Sequence, residues 1–395
     1  MNILIIATGL PFPPDHGRRI RLFNLYSSIN SENKVFWTCI NEKTSQEFVR
    51  KSQEMFDGVY THNKKNRAIL IEKIINKFLA YPRINGFDKL IKSIIKIEKI
   101  DLIIIDSEHM AIYSPKILGK IPIILNTHNM PGLVEFRSFK SAKNIKLKIR
   151  YLYRYLKIYR FFNKYSQKFD LITMCSQQEI DLIQKKYKNT KFHLIPNGVD
   201  IKNIIEIKTK FTTYDEKCLV FIGPFDYHPN FDAIFYFCEI IFPLILKKDP
   251  LIKLKLMGKE TESFGNNYFP HLPIIGFGFV DNPLEQIINS KILITPFRIG
   301  AGTRIKILES IALGKPVVST TIGAEGIDID EIGGLFRVDN PLDFSEKVLE
   351  LINFPKEKYS NLCLYGQEII KNQYNWDIAR SEVQKIILSF NQNSV

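Results

Sequence analysis

The stretch Ile292-Leu293-Ile294-Thr295-Pro296-Phe297-Arg298-Ile299-Gly300-Ala301-Gly302-Thr303-Arg304-Ile305-Lys306-Ile307-Leu308-Glu309-Ser310-Ile311-Ala312-Leu313-Gly314-Lys315-Pro316-Val317-Val318-Ser319-Thr320 reads as a strand, a glycine loop, a helix and a second strand. The helix is expected from about Thr303 to Leu313, stopped by Gly314 and Pro316. Gly300 and Gly302 let backbone N–H groups approach an anion, the helix N-terminus adds partial positive charge, and Arg304 and Lys306 add full charges. Such a cradle holds a pyrophosphate without a metal. The same residues also fit a plain Gly-x-Gly turn beside a solvated basic face. A dinucleotide fingerprint fails on spacing, because Ile305 stands where its third glycine belongs. Asp328-Ile329-Asp330 has no further hard ligands at nearby spacing and reads as a solvated loop.

Outward from this stretch, short apolar runs recur at Ile3–Ala7, Val35–Ile40, Leu102–Asp106, Ile121–Leu125, Leu171–Cys175, Phe192–Ile195, Leu219–Ile222, Leu254–Met257, Ile292–Thr295 and Val317–Thr320. Charged stretches of helical period separate most of them, which predicts parallel sheets covered on both faces. Ile195-Pro196-Asn197-Gly198-Val199-Asp200 supplies a strand end and a turn, and the Lys/Thr-rich segment Ile205–Lys217 shows no clear core pattern. A second series starts at Cys218. The expected fold is α/β, two Rossmann-like domains spanning 1–201 and 202–372, whose βα loops share a cleft.

The 395 residues suffice for two sizeable cores, and the 45% hydrophobic content excludes a disordered chain. Lys+Arg 55 against Asp+Glu 41 gives +14, so anionic partners are favoured. Five scattered cysteines form neither a disulfide framework nor a zinc knuckle, which fits a reducing cytoplasm. Prolines 11, 13 and 14 follow the first apolar run too soon for a signal peptide, and no uncharged apolar run reaches membrane-spanning length.

The segment Arg298–Glu325 resembles the donor-binding region of glycosyltransferase family 4, whose members have the glycosyltransferase B fold of two facing Rossmann-like domains. Further blocks follow in the family's order: Pro11–Gly17 with Arg21, Thr127-His128-Asn129, Ile195–Asp200, Phe221-Ile222-Gly223, and Pro229–Ala233. The resemblance implies a nucleotide-sugar-dependent, retaining, metal-independent enzyme acting on a saccharide or lipid-linked glycan in surface polysaccharide or glycoconjugate synthesis. It also implies a last helix, within 373–395, that returns to the first domain. Glu309 matches the second glutamate of the family's Glu-x7-Glu signature and would take the ribose hydroxyls; the first falls on Ala301. Gly223, Gly300, Ala301, Gly302 and Thr303 would line the donor, with Arg304 and Lys306 at the leaving diphosphate. The arginine and lysine that often follow the Phe221-Ile222-Gly223 strand are absent, so removing Arg304 should weaken nucleotide binding by roughly 1.5–3 kcal/mol. His128, at a strand's end, would contact the transferred sugar, although a lone histidine is more often a structural group. Gly17, Arg21 and Asn129 would form the loop on the acceptor or phosphate side.

From Phe136 to Phe169 there are eleven Lys or Arg residues and no Asp or Glu. Read as one helix, the stretch puts Lys146, Arg150, Arg154, Lys157, Arg160, Lys164 and Lys168 on one stripe, opposite Leu147, Tyr151, Tyr155, Ile158, Tyr159 and Phe162. Two readings stay open: an anionic membrane surface, which would make the protein peripheral on the cytoplasmic face, or a solvated face over a packed one. No nucleic-acid motif accompanies it. The absent first glutamate keeps a second class open, a catalytically inactive glycosyltransferase-like scaffold.

Overall fold

A computed structural model describes residues 1–29, 32–41, 45–63, 79–116, 121–142, 144–211 and 213–392. They form two compact units, one of residues 1–196 with 377–395 and one of residues 197–376. The first is built on strands β1 (Asn2–Ala7), β2 (Lys34–Asn41), β3 (Gly58–Asn63), β4 (Leu102–Asp106), β5 (Ile123–Asn126), β6 (Leu171–Met174) and β7 (Phe192–Leu194), in the order β3-β2-β1-β4-β5-β6-β7. The second uses β8 (Cys218–Ile222), β9 (Lys253–Met257), β10 (Ile274–Gly276), β11 (Ile292–Thr295), β12 (Val317–Ser319) and β13 (Leu335–Arg337), in the order β10-β9-β8-β11-β12-β13. All pairings between these strands are parallel. The fold is therefore two Rossmann-like units.

Burial on both faces explains the continuous apolar runs. Leu219 and Phe221 of β8 enter one core with Phe237, Phe242 and Phe344, while Val220 between them enters another with Ile287, Leu308 and Ile311. The continuous helical stretch His228–Lys248 is long and apolar enough to cross a membrane, but Ile234, Phe237, Ile241 and Ile245 are buried in the second unit's core.

Five helices matter below: α1 (Gly17–Tyr26), α2 (Leu133–Ser141), α3 (Ile145–Tyr165), α4 (Ile305–Ala312) and α5 (Trp376–Gln392). Helix α5 groups with the first unit from Asp377 onward, where Arg380 donates to the Asn24 carbonyl at 2.9 Å and Glu382 meets His193 at 2.8 Å. Two expectations change. The basic stretch after Phe136 is a hairpin of α2 and α3 rather than one helix, because Ala142 leaves helical geometry with ψ 123°. The segment Ile205–Lys217, expected to lack a core pattern, begins inside a helix, Ile201–Lys210. Asp200 caps it by accepting from the Lys202 and Asn203 amides, and Ile204 and Ile207 are buried.

Candidate active site

In each sheet the strand order reverses beside the first strand of its series: β1 lies between β2 and β4, and β8 between β9 and β11. Loops leaving the two strands at a reversal turn apart and open a crevice at the strand C-termini. The residues that follow β1, β4, β5, β8 and β11 are therefore where ligand chemistry is expected.

In the second unit, the loop from Pro296 to Arg304 joins β11 to α4. Gly302 adopts φ +72°, which only glycine takes without strain, and a Cβ on Gly300 would lie 2.0 Å from Arg304 Nη2. The helix starts at Ile305, so Arg304 is its extended N-cap rather than part of its first turn, and no side chain caps it. Arg304 is folded back across the loop. Its Nη1 donates to the carbonyls of Ile322 (2.7 Å) and Gly323 (3.0 Å), and its guanidinium carbon lies 4.3 Å from the Phe297 ring centre. The arginine thus ties the loop after β11 to the loop after β12. Thr303 is fixed by Asn197, whose amide donates to its carbonyl at 3.2 Å and to its hydroxyl at 2.5 Å.

Lys306, in the first turn of α4, donates from Nζ to the carbonyl of Ile222 at the end of β8 and so spans the reversal point. Gly223 follows directly, with Asn230 packed against its Cα and donating to the Pro224 carbonyl at 2.8 Å. Glu309 stands three residues after Lys306, on the same helix face. Burial lowers the Lys306 ammonium to about 7, aided by neighbouring Arg304, and Glu309 pulls the other way. Burial raises the Glu309 carboxyl to about 7 against the pull of Lys306. Two expected fixed charges are therefore groups that titrate near neutrality. Ala301, half-buried in the loop, offers only its backbone.

In the first unit, Asp106 ends β4 and is 1% exposed. One carboxylate oxygen meets His128 Nε2 at 2.9 Å; the other accepts from the Tyr26 hydroxyl at 2.9 Å and the Asn126 amide at 2.6 Å. Thr173 on β6 donates to the Asn126 carbonyl oxygen at 2.8 Å. Burial pushes the Asp106 carboxyl up, and the His128, Asn126 and Tyr26 contacts outweigh it, leaving the group below the usual carboxylate range. His128 is thus held by a network laid along the C-terminal ends of β4, β5 and β6. Sequence reasoning missed Asp106, Asn126 and Tyr26. The available signal was Asp106 itself, a carboxylate closing a fully apolar strand.

Gly17 opens α1, and Asn129 follows His128, half-buried in the same loop. Arg21 departs from the expected phosphate-side role. It is 1% exposed and donates to the carbonyls of Ile195 (2.9 Å) and Pro196 (3.1 Å), because its position on α1 faces inward with Leu22 and Leu25. Among the described residues, no three His, Cys, Asp or Glu side chains converge as a metal site.

A family model described as Glycosyltransferase Family 4 matches residues 55–203, and one described as Glycosyl transferases group 1 matches residues 216–353. An uncharacterized 44.6 kDa protein in the cps region of Klebsiella pneumoniae is 23% identical over 90% of this chain and 91% of its own. An uncharacterized glycosyltransferase of Methanocaldococcus jannaschii is 27% identical over 84% of this chain and 87% of its own. Among solved structures, sucrose-phosphate synthase from Thermosynechococcus elongatus is 15% identical and superposes with a TM-score of 0.73 over 99% of both chains. Anabaena HepE in complex with UDP-glucose is 13% identical and gives 0.67 over 98% of this chain and 100% of its own.

Proposed function

Starting from a chain that belongs to the group 1, family 4 type of glycosyltransferases, we propose that its second unit binds a nucleotide-diphosphate sugar at the loop Gly300–Arg304 and helix α4. The observation that carries this reading is Lys306 reaching the last carbonyl of β8, beside Gly223 and below the glycine loop. That arrangement brings an ammonium to the strand reversal, in the first turn after the glycine loop whose amides are the proposed backbone donors. As the sugar–phosphate bond breaks, negative charge grows on the leaving diphosphate, and the loop amides with protonated Lys306 stabilise it. Arg304 acts by holding the loop in its anion-ready shape as well as by its charge. Glu309 accepts hydrogen bonds from ribose hydroxyls, and the Gly300–Gly302 amides serve in place of the carboxylate that Ala301 lacks.

The reaction is proposed to be retaining and metal-independent, with His128 as the first unit's contribution and a saccharide or lipid-linked glycan as acceptor. The UDP-glucose in the HepE structure makes uridine diphosphate sugars the first donors to try. The relative in a cps region favours a role in surface polysaccharide or glycoconjugate synthesis in the cytoplasm. A panel of nucleoside diphosphates and their sugars, with and without EDTA, tests the reading by thermal shift and donor hydrolysis. Stabilisation by at least one diphosphate, unaffected by EDTA, is expected. Silence toward the whole panel would replace it with the inactive-scaffold reading that Ala301 supports.

A further inference from the structure

Helix α3 has apolar residues on two opposite sides. Ile158, Phe161 and Phe162 are buried in the first unit's core. At 100° per residue, Ile145, Ile149, Tyr153 and Leu156 fall on a second row facing away from them, and these four are 66%, 62%, 47% and 39% exposed. A helix that only covers a core needs no such outer row. Lys146, Arg150, Lys157 and Lys164 border it along one flank, and the Lys157 ammonium lies 4.8 Å from the Tyr153 ring centre. Glu135 of α2 answers Arg154 at 3.2 Å, but no acidic residue lies on α3.

We propose that this outer face docks on an anionic lipid bilayer, with Ile145, Ile149, Tyr153 and Leu156 entering the headgroup boundary and the flanking cations meeting lipid phosphates. Both halves of the pattern are then used, since aliphatic side chains gain by leaving water and ammonium and guanidinium groups gain beside phosphate. A nucleic acid would use the cations and leave the aliphatic row in water. A second copy of the chain would bring the same eleven positive residues of 136–169 against their like. The surface rests on none of the nucleotide chemistry, so its success or failure is separate from that of the donor site.

The test is co-flotation of the full-length protein with phosphatidylglycerol-containing vesicles and with pure phosphatidylcholine vesicles, at low and high salt. Binding to the anionic vesicles alone, weakened by salt, is expected. The exposed-row variant I145Q/I149Q/L156Q should lose affinity about tenfold, and K146Q/R150Q/K157Q roughly a hundredfold. Unchanged melting temperatures show that each variant is folded. Three results overturn the proposal: no flotation of the wild type with anionic vesicles at low salt, flotation indifferent to the aliphatic substitutions, or a concentration-dependent dimer that I145Q/I149Q/L156Q dissolves. Tighter binding to nucleic acid than to vesicles would reassign the face.

Discussion

The two strand-reversal sites are built from the same topology by opposite means. In the first unit, a carboxylate is driven below its ordinary pKa by three donors, and the side chains of four secondary elements lock His128 in place. In the second, Lys306 and Glu309 both sit near pH 7, Lys306 donates to a peptide carbonyl, and the neighbouring Arg304 is turned onto carbonyls of the next loop. Satisfied hydrogen bonds hold the first site's side chains rigid. Under the proposed function the second site takes a diphosphate, and groups poised near neutrality let that ligand complete their charge.

Removing the charge that the ligand completes should have the largest effect. Lys306→Met is expected to lower sugar transfer or donor hydrolysis about a hundredfold or more and to weaken nucleoside diphosphate binding in calorimetry. Full activity in this variant would dissolve the contrast between the two sites. Asp106→Asn is expected to cost about 1–3 kcal/mol in urea unfolding at pH 7, because it disturbs a buried, fully bonded network. The folded carboxyl titrates below 3.8, so its stabilisation is complete above that value and disappears as pH falls through the lowered one. The variant should therefore lose less stability than the wild type on acidification; parallel acid profiles would show that the network is not electrostatic.

Gly302→Ala, placed at φ +72°, should cost about 1 kcal/mol of stability and weaken diphosphate binding without changing the pH dependence. The smallest signal is protonic. Lys306 falls from 10.5 to about 7 on folding, so between those values the unfolded chain holds more protons and this residue makes stability rise with pH. A bound diphosphate reverses the shift, so near pH 8 binding should take up protons, read from calorimetry in buffers of different ionisation enthalpy. Lys315 is the control: burial also lowers it to about 7, but it precedes β12 at the other end of the sheet, above the Tyr214 ring. Lys315→Met should leave proton uptake intact.

All ten apolar runs read from the chain became strands; most are buried on both faces and announce themselves by composition, while β7 is a half-buried edge strand. The three that escaped notice, β3, β10 and β13, all lie at sheet edges and are short or polar, as in Gly-Val-Tyr-Thr-His-Asn of β3. The glycine loop was legible since its spacing is local. What Arg21, Arg304 and Asp106 do was not, because each depends on partners far away in sequence: Arg21 on residues 195 and 196, Arg304 on 322 and 323, Asp106 on Tyr26 and His128. The cationic count of α3 was plain, whereas its exposed aliphatic row required knowing which side packs inward.

The second unit enters and leaves the chain at Asn197 and Trp376, and the Val199 amide donates to the Tyr374 carbonyl at 2.8 Å, so its two ends lie side by side. Genetically this makes residues 197–376 an insertion: both of its cores are built from its own residues, so the fragment expressed alone is expected to melt cooperatively, which calorimetry checks. Nucleotide capture can then be assayed on a piece that lacks helix α3 altogether.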